Sequence, residues 1–150
     1  MGACVVGRRA IGVFKPGNHG STFGGNPLAM TGVVTTIDAM KEQGLLANAE
    51  RVGRVIRDGL ARELAGVAGV KEIRGLGLMI GVELDRPCTE LVKMGLDRGL
   101  VFNVTAENVI RLLPPLVMSE AEGRQVVSIL APLVKEFLAT AQAPATMAQA

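Results

Sequence analysis

The chain has 150 residues, enough for one compact domain or for a small domain carrying part of another, and 49% of them are hydrophobic against 20% charged. That composition excludes a disordered chain, and its 16 basic and 14 acidic residues are interspersed, with no basic stripe of the kind that tracks nucleic acid. No apolar run approaches the ~20 residues a membrane span needs, and the amino terminus lacks the order of a signal peptide, so a cytoplasmic protein is expected.

Cys4 and Cys88 lie far apart, with no Cys or His at ligand spacing, so neither a metal site nor a disulfide is expected. Mean hydropathy is +0.36, high for a chain without a membrane segment, and is consistent with apolar surface meant for other protein.

In chain order, Ala3 to Val6 reads as a short buried strand. Residues 14–27 follow, with four glycines and two prolines, an irregular and tightly turned loop. It ends at a helix start, with Asn26 as N-cap and Pro27 at the first helical position. That helix runs to Gly44, a candidate left-handed cap. A second helix is predicted from Leu45 to Leu64, because Leu45, Ala49, Val52, Ile56, Leu60 and Leu64 recur on one face. The arginines at 51, 54 and 57 read as its solvated side.

Strands are predicted over 70–74 and 78–84, joined by a bend at Gly75-Leu76-Gly77. A helix over 87–98 is interrupted by Gly95, an unfavourable residue there. A second strand pair, 100–104 and 109–113, closes at Pro114-Pro115. Ser119 and Glu122 form a capping-box pattern opening a last helix, in which Pro132 should cause a kink or a break. From about Thr140 the chain reads as a flexible tail. Residues 1–44 look like the end of a larger domain, since one strand and one helix cannot bury each other. Residues 45–138 form a small α+β domain, a mixed sheet covered by helices.

Two places could carry chemistry. In residues 19–27, Ser21 and Thr22 sit side by side among glycines, so hydroxyls and backbone N–H groups could meet an anion. On the residues alone, the same pattern is more simply a surface turn that uses glycine for its geometry and Ser/Thr for local hydrogen bonds. Arg111 lies among apolar residues, and strand alternation puts it on one face with Val109 and Leu113. A guanidinium there wants a carboxylate, from a substrate or from a nearby Asp or Glu. His19, the sole histidine, reads as a hydrogen-bonding loop residue, and Glu83 as a solvent-facing carboxylate. Gly75, Gly77 and Gly81 could mark close backbone packing or a bulge.

The run His19-Gly20-Ser21-Thr22-Phe23-Gly24-Gly25-Asn26-Pro27-Leu28-Ala29 resembles the signature that follows the cofactor lysine in class III aminotransferases. Arg74 to Glu83 and Asn108 to Leu116 fall in that family's order as well, and the acetylornithine branch fits best. The resemblance implies the carboxy-terminal part of a fold type I, pyridoxal-phosphate-dependent homodimer. It implies that Thr22 meets the cofactor phosphate across the dimer interface and that Ser21 touches an acylated ornithine. Arg111 would hold the α-carboxylate of that substrate or of glutamate, with 2-oxoglutarate as acceptor, in arginine biosynthesis. Ornithine, succinylornithine or 4-aminobutyrate are alternative amino donors, and a non-catalytic ligand-binding domain is the alternative class.

In that family the Schiff-base lysine lies upstream of the equivalent of Gly2. The lysines here, Lys15, Lys41, Lys71, Lys93 and Lys135, read as solvent-facing or as flanking turns, whereas such a lysine is commonly desolvated or set beside another cation. No residue is therefore nominated as catalytic, and the chain alone is expected to be inactive.

Overall fold

Alternating burial builds the architecture of the computed structural model, which describes residues 6–140. The predicted strand at Ala3 to Val6 and the predicted tail fall largely outside those residues. The chain divides into two compact units, Met1–Gln43 and Gly44–Ala150.

In the first unit, a short 3-10 turn at Arg8–Ala10 and a string of turns lead to helix α1, Pro27–Glu42. The cap forms as predicted: the Asn26 side chain accepts from the Ala29 N–H at 2.9 Å. None of the residues of α1 is buried, and Leu28, Met30, Val34 and Ile37 stand exposed.

The second unit opens at Gly44, whose φ of +61° is the left-handed conformation predicted for it. Helix α2, Leu45–Glu63, buries Val52, Ile56 and Leu60 on the predicted face. Strands β1, Val70–Leu76, and β2, Met79–Leu84, form a hairpin. Its turn is Gly77-Leu78, one step beyond the predicted bend. Gly77, at φ +53° in the first turn position, supplies the twist that a two-residue hairpin requires.

Helix α3, Glu90–Asp97, then leads to β3, Asn103–Thr105, and β4, Val109–Leu112. Ala106 and Glu107, between those strands, both have positive φ although neither is glycine. Helix α4, Glu120–Thr140, completes the unit. Its capping box is made: the Ser119 N–H donates to Glu122 at 2.7 Å and the Ser119 hydroxyl accepts from the Glu122 N–H at 3.3 Å.

The four strands lie in the order β1-β2-β4-β3. Every pairing is antiparallel, so the mixed sheet expected from the sequence is corrected: short hairpins join β1 to β2 and β3 to β4, and a hairpin can only pair its strands antiparallel. One face carries Ile80, Val82, Leu84, Ile110 and Leu112, all buried. Apolar side chains of α2 and α4, including Leu130, Leu133 and Val134, complete the same core. The other face carries Arg74, Glu83, Arg111 and Asn103 together with the exposed apolar residues Leu76 and Met79.

Gly95 explains itself here. A Cβ at that position would lie 2.4 Å from the Phe102 ring and 2.9 Å from the Leu100 carbonyl oxygen, so the helix tolerates its glycine to admit the segment leading into β3. Pro132 stays within one continuous helix, where a kink or a break was predicted, since the buried side chains on either side of it hold both halves to one core.

Candidate functional site

In the first unit, Ser21 and Thr22 stand at the start of a turn closed by the Gly24 N–H, which donates to the Ser21 carbonyl at 3.1 Å. Both are exposed, and neither hydroxyl makes a hydrogen bond among the described residues. Asn26 steadies the turn from below by donating to the Phe23 carbonyl at 2.6 Å. Hydroxyls and backbone N–H groups without acceptors form a donor set suited to an anion such as a phosphate. His19 meets the Phe14 ring edge-on, with ring centroids 5.4 Å apart, a packing contact in place of the hydrogen bond expected of it.

In the second unit, the solvent-side face of the sheet sets out its polar groups in rows. Strand pairing places Arg74 opposite Gly81, Gly81 opposite Arg111, and Arg111 opposite Asn103. Side chains of directly paired residues leave the sheet on one side, so these four positions form a single row across it.

The two arginines of the row are in different electrostatic states. Arg74 donates to Glu72 at 2.6 Å and to Glu83 at 2.7 Å. Those bonds, Glu83 first, hold its proton more tightly than usual. Glu83 is thus half of an ion pair and only partly exposed, where the sequence suggested a free, solvent-facing carboxylate.

Arg111 has no carboxylate partner among the described residues. Its one hydrogen bond runs from Nε to the side-chain oxygen of Asn103 at 3.0 Å. The alternation that predicted its face holds, since Ile110 and Leu112 are buried while Arg111 is half-buried on the opposite side. It borders a concavity of about 320 Å³ together with Arg74, Leu76, Met79 and Thr105. A second concavity, of about 440 Å³, is lined by Arg111, Asn103, Leu100, Leu113 and Pro114.

Two residues that shape this region were not singled out from the sequence. Asn48 donates to the carbonyls of Leu116 at 2.8 Å and Met118 at 2.9 Å, which fixes the chain just after Pro114-Pro115. Asn103 reaches Arg111 only through strand register. Among the arginines of α2, Arg57 departs from the solvated face expected of it, donating to the Gly77 carbonyl at 3.1 Å. Lys15, Lys41, Lys71, Lys93 and Lys135 are all exposed, and Lys135 is paired with Glu63 at 3.3 Å.

The chain belongs to the class III aminotransferases, whose family profile matches residues 1–134. It is 54% identical over 142 residues to acetylornithine aminotransferase 1 of Bordetella bronchiseptica, covering 95% of this chain and 36% of that protein. Acetylornithine aminotransferase of Nitrosomonas europaea is 49% identical over 138 residues, covering 92% of this chain and 35% of that protein.

Among solved structures, ornithine aminotransferase from Toxoplasma gondii ME49 superposes with a TM-score of 0.75 at 40% identity, covering 87% of this chain and 31% of that one. Acetylornithine aminotransferase from Elizabethkingia anophelis does so at 0.74 and 32% identity, covering 83% and 32%. The chain thus spans about a third of the length of the relatives it matches. Class III aminotransferases are pyridoxal-phosphate-dependent. Among the described residues, Ser21 and Thr22 present exposed hydroxyls of the kind an anion can meet, and no lysine is buried.

Proposed function

We propose that this chain supplies part of the active site of an enzyme that moves the amino group of N-acetylornithine to 2-oxoglutarate in arginine biosynthesis, acting as a homodimer. The observation that carries this reading is the pairing of Arg111, a half-buried guanidinium with a neutral partner and no carboxylate partner among the described residues. Burying such a group beside apolar residues is costly without a counter-ion, and a planar fork suits a carboxylate. N-acetylornithine, glutamate and 2-oxoglutarate share an α-carboxylate, so one arginine can serve both half-reactions.

Thr22 would hold the cofactor phosphate of a neighbouring subunit, and Ser21 would meet the acylated side of the substrate. The cofactor, when bound, supplies an electron sink for the carbon that loses its proton. Residues 1–44 would belong to a larger cofactor-binding domain and 45–138 to a smaller α+β domain. The anchoring lysine would come from outside this chain, because its own lysines are all exposed.

The test is turnover by the full-length protein of N-acetylornithine beside ornithine, succinylornithine and 4-aminobutyrate. A clear preference for N-acetylornithine is expected, and a preference for an unacylated donor would overturn the substrate assignment. In the same protein, Arg111→Ala should raise KM for both N-acetylornithine and 2-oxoglutarate by about tenfold or more, the loss expected of a charge-assisted contact. The isolated chain, reduced with borohydride in the presence of pyridoxal phosphate, should show no stoichiometric label on a single lysine.

A further inference from the structure

We propose that Asn103 is a positioning residue for Arg111, occupying the Nε–H edge of its guanidinium so that the Nη1/Nη2 edge faces the substrate carboxylate. The inference rests on the carboxylate-binding role proposed above for Arg111 and adds which edge of the fork is used. Asn103 and Arg111 are directly paired on β3 and β4, and Nε lies 3.0 Å from the Asn103 side-chain oxygen.

A guanidinium offers a carboxylate two bidentate edges, one shared by Nε and a terminal nitrogen, the other by the two terminal nitrogens. Asn103 fills the first. Neither terminal nitrogen is bonded among the described residues, so the second edge stays open.

The chemistry of the partner matters as much as its place. An amide oxygen accepts a hydrogen bond without bringing a charge, so Arg111 is oriented without its charge being compensated. Arg74, in the same row, shows the opposite outcome: its acceptors, Glu72 and Glu83, are carboxylates, and the ion pair is closed. An asparagine at position 103 gives order without neutralisation. Asn103 and Arg111 also line one concavity, whose walls include Leu100, Leu113 and Pro114. Apolar walls lower the local dielectric and strengthen an added ion pair.

The experiment uses the full-length protein and two ligands measured by calorimetry: glutarate, which carries carboxylates, and N-acetylputrescine, which is N-acetylornithine without its carboxylate. Asn103→Asp places an internal carboxylate on Arg111 and should weaken glutarate about tenfold or more, with N-acetylputrescine unchanged within about twofold. Asn103→Ala frees the fork and should weaken glutarate by a smaller factor, about threefold to tenfold. In turnover, both variants should raise KM for 2-oxoglutarate while kcat holds within about twofold.

Equal weakening of both ligands would mean that Asn103 merely supports the fold, and would overturn the proposal. Unchanged glutarate affinity in Asn103→Asp would overturn it as well. Arg111→Ala separates the two levels. If that variant loses glutarate while Asn103→Asp does not, the carboxylate role stands and the positioning role fails. If Arg111→Ala leaves glutarate untouched, both fail.

Discussion

Gly53 on α2 and Gly77 in the β1–β2 turn approach so closely that a Cβ on Gly53 would lie 1.9 Å from the Gly77 carbonyl oxygen. One helical turn further on, Arg57 donates to that same oxygen at 3.1 Å. Helix and hairpin are thereby locked together at the end of the sheet that carries Leu76 and Met79, beside the concavity of Arg111.

Replacing Gly53 by alanine pits two effects against each other. Helix propensity favours alanine by about 1 kcal/mol. The contact, however, is with backbone atoms that have no rotamer to escape into, and overpacking of this kind costs about 1–3 kcal/mol or more. Net destabilisation of roughly 1–2 kcal/mol is expected for Gly53→Ala. Urea unfolding followed by circular dichroism measures it, and a stabilised variant would show that the hairpin can move away.

How much of this was legible in the sequence depends on range. The α2 face, the Asn26 cap, the Ser119/Glu122 box and the outward placement of Arg111 follow from spacing within one element, and spacing is visible in a sequence. Gly95 looked like a flaw in α3 because its reason, the Phe102 ring, lies outside the helix, just ahead of β3. The pairing of Glu83 with Arg74 and of Asn103 with Arg111 depends on register, which a one-residue slip would undo. A signal for Asn103 did exist. A three-residue connection from Thr105 to Val109 sets Asn103 opposite Arg111, but Ala106 and Glu107 take left-handed conformations that their identities do not announce. Ser21 and Thr22 were legible as adjacent hydroxyls among glycines, but their separate roles came from the motif alone, since an exposed turn of this composition has many uses.

Pro132 gives a prediction of opposite sign. It is exposed within α4, and without an N–H it leaves the Ser128 carbonyl without its usual helical donor. Pro132→Ala restores that bond and removes the ring, while the buried contacts of Leu133 and Val134 are untouched. A gain of roughly 1–3 kcal/mol is expected, read as a higher urea midpoint with an unchanged m-value. A loss would mean that the proline shapes a bend on which the core depends.

Cys88 is 1% exposed, and burial pushes its thiol up to about 11. The thiolate is the reactive form, so Cys88 should resist aromatic disulfide reagents at pH 8 until the protein unfolds. A Cys4→Ser background isolates its signal. The linkage has a definite sign. Folding holds this proton more tightly than the unfolded chain does, so the stabilising contribution is complete below about pH 9 and is lost as pH rises through about 11. Cys88→Ser places a hydroxyl in that apolar site but removes the titration, so its stability should fall less steeply than the parent's between those two values.

Ser21 and Thr22 are adjacent, yet the roles proposed for them separate in experiment. Both hydroxyls are exposed and unbonded among the described residues, so removing either should cost the fold almost nothing. Thr22→Ala in the full-length protein should release pyridoxal phosphate about tenfold to a hundredfold more readily, the range for losing one hydrogen bond to a charged group. Dialysis followed by absorbance of the retained cofactor reads this directly. Ser21→Ala should leave cofactor retention unchanged and raise KM for N-acetylornithine by about tenfold, with KM for 2-oxoglutarate unaffected, because only the acylated donor would reach that hydroxyl. Parallel losses of cofactor in both variants would instead make the turn a single phosphate cradle, and the substrate role of Ser21 would be withdrawn.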